Sequence, residues 1–225
     1  MASPNMFLSK SDLAYAELRD QILTGSLPAG SRLAQYDLAD SLNMSITPLR
    51  EAIRRLSSEG LLTVETHRDV RVSTMTADEA RQLFEVRLSL DPTAAELAAR
   101  RRTEEDIAAM RAAVEQLLPV TRQWGEDALT AHRVFHRTLY RASRNDVLIK
   151  MLDDLWDKSD RYRRLGLDLP PGDEPRTRDL EEHRRLVDLI VDGEADRAGR
   201  LMRDHIANSL TATAISALEE RERRS

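Results

Sequence analysis

The sequence predicts two unlike parts in one chain: an α+β segment with a small hairpin over residues 10–75, and an all-α antiparallel bundle over residues 76–218. Three observations predict this. Residues 36–60, YDLADSLNMSITPLREAIRRLSSEG, read as two short helices meeting at a tight turn. Two short strand patterns follow directly. From Thr76 onwards, long helical periodicities replace them.

The chain begins with a loose arm over residues 1–9, then a helix from about Asp12 to Thr24 with Ala14, Leu18 and Ile22 on one side. Gly25 stops it, and LPAGSRL turns through Pro28 and Gly30. In the helix pair, Leu38, Ala39 and Leu42 face inward from the first helix, and Leu49, Ala52, Ile53 and Leu56 from the second. Asn43 suits the left-handed turn between them. Thr47-Pro48 reads as a hydroxyl cap followed by proline at the first helical position, with Ser45 as the alternative cap. Arg50, Arg54, Arg55 and Ser57 are left on the outer side, an arrangement suited to a major groove. LLTVE and VRVS then form two strands around THRD. Helix, helix pair and hairpin in this order are the parts of a winged helix-turn-helix, whose wing would carry His67, Arg68 and Arg71. An exposed turn is the plainer role for His67. The candidate DNA-contacting residues are Tyr36, Ser45, Thr47, Arg50, Arg54, His67 and Arg68.

Six helices are predicted for the bundle. The first runs from Thr76 to about Arg101, and the second from Thr103 until Pro119 ends it. Two more cover about 125–142 and 146–164, and GLDLPPGDEP is a loop. A fifth runs from about Arg178 to Val191, and a sixth follows Gly193 into the charged tail.

Composition narrows the function. There is no cysteine, so disulfides, thiolate metal ligands and cysteine catalysis are excluded. No apolar run reaches membrane-spanning length and the N-terminus has no secretory pattern, which predicts a cytoplasmic protein with no membrane partner. The net charge is −5, and residues 1–75 hold eight Lys/Arg against nine Asp/Glu. DNA affinity must therefore come from where the arginines face and from doubling by dimerisation. With three Phe, two Trp and four Tyr, stacking on single strands is not expected.

Four histidines lie in the bundle. His132 and His136 are one turn apart on the same helical face. His183 precedes Gly193 by ten residues and His205 follows it by twelve, so in a helical hairpin both rings lie roughly 15–18 Å from the turn, at nearly one level. Two such pairs on facing helices could give three or four imidazole ligands to a divalent metal, with zinc expected and nickel an alternative. No general base accompanies them, and catalysis is not expected.

The pattern resembles the GntR family of bacterial transcription regulators, in its FadR-like branch with an all-helical FCD effector domain. From Leu18 to Ser73 the resemblance rests on Pro28-Ala29-Gly30, Leu38-Ala39, Ser45, Thr47-Pro48, Leu49-Arg50-Glu51-Ala52, Arg54, Leu56 and Gly60-Leu61. It continues through VRLSLDP around Arg87, Phe135-His136, Asn145, His183 and His205. Three positions depart from the family. Ile46 replaces a recognition-helix arginine, Asp69 the wing glycine, and His132 the aspartate of an aspartate-plus-three-histidine metal group.

The resemblance implies a homodimer on a double-stranded DNA operator, acting as a repressor relieved by a small anionic carboxylate metabolite. The metabolite would complete the metal's coordination and pair with Arg87. Arg133 and Asn145 are further candidate effector-binding residues, although capping of the fourth bundle helix is an equally good role for Asn145.

Overall fold

The computed structural model describes residues 9–66, 69–74, 76–119, 125–168 and 177–224, in two compact units divided between Met75 and Thr76. His67 and Arg68 lie outside the described residues.

In the first unit, α1 (Lys10–Leu23) starts two residues before the expected position. Ser9 closes a capping box: its Oγ accepts from Asp12 N at 3.1 Å, and Asp12 Oδ2 accepts from Ser9 N at 3.2 Å. Ala14, Leu18 and Ile22 are buried along one side, as the spacing predicts. Helices α2 (Gln35–Ser41) and α3 (Ile46–Ser58) meet at Asn43, which adopts φ 49°. The start of α3 corrects the expected cap. Ser45 occupies the cap position without a side-chain hydrogen bond, and Thr47 and Pro48 are its second and third helical residues. Proline is tolerated there because first-turn amides have no intrahelical acceptor to lose.

Leu49, Ala52, Ile53 and Leu56 of α3 are buried in this unit's core with the inner residues of α1. The wing strands β1 (Leu62–Thr66) and β2 (Asp69–Val72) pair antiparallel, with Leu62 opposite Val72. Residues 31–33 lie along the other side of β2: Leu33 N donates to Val70 O at 2.8 Å, and Val72 N to Ser31 O at 2.9 Å. Val70 and Val72 point into the core and Arg71 points out.

The second unit holds α4 (Ala77–Arg101), α5 (Glu104–Glu115), α6 (Gly125–Ala142), α7 (Asp146–Asp168), α8 (Thr177–Val191), α9 (Ala195–Ala207) and α10 (Leu210–Arg224). Thr76 and Thr103 cap α4 and α5 as expected. Two expectations are corrected. Helix α7 runs through Gly166 to Asp168, into the stretch GLDLPPGDEP expected as a loop, and the rest of that stretch lies outside the described residues. The single sixth helix is two, broken at Asn208 and Ser209, where Asn208 Nδ2 turns back to donate to Asp204 O at 2.7 Å. The chain thereby redirects α10 onto α4 and α7. Gly199 lets α9 lie close to α4: a Cβ there would stand 2.4 Å from Glu96 Oε1. Trp156, Tyr140, Phe135, Leu139 and Met110 fill the core between these helices.

Candidate functional site

All four bundle histidines converge on one point. One ligand nitrogen from each of His132, His136, His183 and His205 lies within 4.8 Å of the others. The expected level of His183 and His205 is met, with ring centroids 4.5 Å apart across the α8–α9 hairpin. All four are buried, from 0% exposed at His136 to 9% at His132.

Hydrogen bonds assign the tautomers. Tyr140 OH donates to Asp91 Oδ1 and accepts from Trp156 Nε1 at 3.1 Å, so towards His136 it is an acceptor. His136 Nδ1, 3.3 Å away, therefore carries the proton and leaves Nε2 as a lone pair. His205 Nδ1 donates to Glu182 Oε2 at 2.9 Å, so Nε2 is the nitrogen it has left for an ion. His183 Nδ1 faces the Asp179 carbonyl one turn back without forming an aligned hydrogen bond. His136 Nε2 and His183 Nε2 are 3.2 Å apart. That matches two nitrogens on a tetrahedral ion with bonds of about 2.0–2.1 Å, which are separated by roughly 3.3 Å. A carboxylate behind an imidazole is a usual means of fixing a metal-binding tautomer, as Glu182 stands behind His205.

His132 differs. Arg163 Nη2 donates to its Nδ1 at 2.9 Å. Arginine has no acceptor, so Nδ1 holds the lone pair and Nε2 the proton. As placed, His132 closes the cluster but does not offer Nε2 to an ion.

Burial is the main reason that His132, His136 and His183 titrate well below an ordinary histidine. Arg163 adds to this at His132, and the other rings add to it at His136. His132, His136 and His183 are therefore held as neutral imidazoles, the form that binds metal.

Beside it lies a hollow of about 20 Å³, lined in part by Arg87, His132, Trp156, Arg163 and His205. That is room for one water-sized group. Arg87 is 3% exposed and grips Asp91 with Nη2–Oδ1 at 2.9 Å and Nε–Oδ2 at 3.3 Å. Burial opposes its charge, but Asp91 and Tyr140 outweigh that and raise its pKa above the ordinary arginine value. The Arg87 and Arg163 guanidiniums lie 4.6 and 4.5 Å from the Trp156 ring centroid. Ser209 Oγ and Thr211 Oγ1, at the α9–α10 break, are buried without a partner among the described residues and line the same hollow.

Two of the expected effector residues are elsewhere. Arg133 pairs with Asp157 and with Asp160 (3.0 Å) on α7 and does not line the hollow. Asn145 caps α7, its Oδ1 accepting from Leu148 N at 3.2 Å, so the capping role is the one it takes. Arg163, Ser209 and Thr211 were not expected. A buried arginine reads as a surface residue in a charged helix, and the two hydroxyls depend on a helix break that the periodicity does not show.

In the first unit, Tyr36, Ser45, Thr47, Arg50 and Arg54 are all exposed. Tyr36 and Arg50 line one groove with Arg32. Arg55 turns away from this surface: its guanidinium lies 3.7 Å from the Tyr15 ring centroid and pairs with Asp12 and Glu59.

Residues 10–80 match the bacterial regulatory proteins of the gntR family, and residues 82–208 match the FCD domain. The chain belongs to the GntR family, with an FCD domain as its helical unit. It is 27% identical over 178 residues to the HTH-type transcriptional regulator YdhC of Bacillus subtilis (strain 168), covering 78% of each chain. With the HTH-type transcriptional repressor GlaR of Escherichia coli (strain K12) it shares 25% identity over 198 residues, 85% of this chain and 90% of that one. The solved structure of E. coli McbR/YncC has the same fold, with a TM-score of 0.76 at 22% identity over 96% of this chain and 100% of the other. This GntR protein is a DNA-binding transcriptional regulator, and both domain families and its relatives are regulators rather than enzymes. Among the described residues no helix is long and apolar enough to cross a membrane.

Proposed function

We propose that this regulator is a cytoplasmic homodimeric repressor that releases its operator when a small carboxylate metabolite binds beside a divalent metal in the FCD domain. The observation that carries the reading is the convergence of imidazoles from α6, α8 and α9 on one buried point, with Tyr140 behind Nδ1 of His136 and Glu182 behind Nδ1 of His205. His136, His183 and His205 would hold the ion. Neutral nitrogen ligands suit zinc, with nickel as the alternative. The bound ion would supply a positive centre for a carboxylate, and it leaves a coordination position open when only three imidazoles bind. The second unit's own residues do the rest. Arg163 and Arg87 offer guanidiniums, and Ser209 and Thr211 offer buried hydroxyls with unmet hydrogen-bonding capacity.

The hollow is too small for a metabolite as it stands, so entry requires Arg163 to leave His132 Nδ1 and turn onto the ligand. Such a ligand shifts DNA affinity only if it favours one arrangement of the winged domains over another. Linking two winged domains raises the local concentration of the second reader, which is why a dimer suits the weak charge of the DNA-binding unit. The repressor reading also draws on GlaR, a relative described as a repressor.

The same small hollow favours a second reading, in which the metal alone is the signal. Fluorescence anisotropy on a selected operator separates the two. Metal-loaded and chelator-treated protein would be titrated with a panel of small carboxylates. Release by a carboxylate only in the metal-loaded form supports the effector reading, and release on metal addition alone supports the second. Indifference of operator binding to both metal and carboxylate overturns both.

A further inference from the structure

We propose that Arg32 and Arg71, aligned by Asp69, form a DNA-phosphate site at the base of the wing. It rests on the DNA-binding role of the winged unit and adds a contact that the recognition helix does not supply. Arg32 and Arg71 face each other across an antiparallel bridge, so their side chains leave the sheet on the same side. Val70 and Val72 point the other way, into the core, which fixes Arg71 outward. The two guanidiniums stay accessible, with side chains 61% and 44% exposed.

Like charges directly opposite on neighbouring strands repel. Asp69 answers that here: its Oδ1 lies 3.2 Å from Arg32 Nε and 3.5 Å from Arg71 Nε. Both contacts to Asp69 are made at Nε. Arg71 Nη1 is further steadied 3.5 Å from Gly30 O. An anion with several acceptor oxygens is what a pair of such forks recognises.

The position indicates which anion. Arg32 lines a groove of about 400 Å³ that runs past Tyr36 to Arg50 on the recognition helix. A duplex read by Arg50 would carry its backbone along that groove, and a phosphodiester is the group the backbone presents. Asp69 is thus a positioning residue. The carboxylate that stands where the family usually has glycine organises two cations instead of merely repelling DNA.

The test uses the full-length protein and a duplex of arbitrary sequence, because phosphate contacts carry no sequence information. Anisotropy titrations across a salt series would compare wild type with Arg32→Gln, Arg71→Gln and Asp69→Asn, with thermal melts to show that each is folded. Arg32→Gln and Arg71→Gln should each weaken binding several-fold and flatten the dependence of log affinity on log salt by about one unit per contacting chain. Asp69→Asn should also weaken binding, although it removes a negative charge. Unchanged slopes in both arginine variants overturn the site. Tighter binding by Asp69→Asn overturns the positioning role and leaves Asp69 as a repelling charge. Wild type that binds no duplex would overturn the DNA-binding role itself, and the inference with it.

Discussion

Arg163 Nη2 donates to His132 Nδ1 across 2.9 Å, inside a cluster of four buried imidazoles. That bond sets His132 apart from the other three rings, because it puts the proton on the nitrogen that would otherwise face an ion. His132→Ala should therefore retain metal to within a few-fold. His132→Asp, which restores the family's usual residue, should tighten it, since a carboxylate can both pair with Arg163 and coordinate. Competition against a chromophoric chelator measures both. A His132→Ala variant that loses metal as completely as His136→Ala would show that Arg163 gives way and His132 coordinates.

Glu182 stands behind His205, its Oε2 2.9 Å from Nδ1. Replacing it by glutamine weakens the ring's orientation and basicity without touching the ion. Metal affinity should fall by about 10–100-fold, the usual consequence of losing such a partner. The same chelator competition reads it, and an unchanged affinity would mean that packing alone orients His205.

The phenol of Tyr140 joins Asp91, Trp156 and His136 in a buried network. Tyr140→Phe leaves at least one of these groups unsatisfied, at a cost of about 1–3 kcal/mol. Chemical denaturation of the metal-free protein should show that loss. A neutral effect would mean that water replaces the hydroxyl.

Acid should unfold the metal-free FCD domain early. His132, His136 and His183 have folded pKa values well below those of the unfolded chain, so between the two the unfolded state binds more protons. Stability is then full above about pH 6.5 and falls as pH drops below it, by up to about 1.4 kcal/mol per pH unit for each ring. Melting temperatures across pH 5–8 test the sign. A flat profile, or a gain on acidification, would contradict neutral buried rings.

Arg50 lies exposed on the recognition helix and lines the groove with Tyr36. If it reads a base, Arg50→Ala should cost about 1–3 kcal/mol on the operator and little on scrambled DNA. Equal weakening on both would reassign it to phosphate, and no change on either would remove it from the interface.

Much of this architecture is legible in the chain. The stripe of Leu49, Ala52, Ile53 and Leu56 marks the recognition helix, and Asn43 marks the turn before it, because both are local properties of backbone and burial. His183 and His205 could be matched by counting outward from Gly193, since helical rise is fixed. Other features depend on contacts that no local pattern carries. Arg163 is charged in a charged helix, and only the fold shows it turned inward onto His132. The break at Asn208 and Ser209 involves neither proline nor glycine, so Ser209 and Thr211 could not be placed in the hollow. Asp69 looks unfavourable for DNA until residues 31–33 are laid beside β2 and bring Arg32 opposite Arg71.

On the proposed function, His136, His183 and His205 would hold an ion to which His132 is not essential. Elemental analysis of protein loaded with zinc and desalted tests it most directly. One ion per chain is expected in wild type and in His132→Ala, and almost none in His136→Ala, His183→Ala or His205→Ala. Wild-type protein that retains no ion after loading, or alanine variants of those three that retain it fully, would contradict the claim.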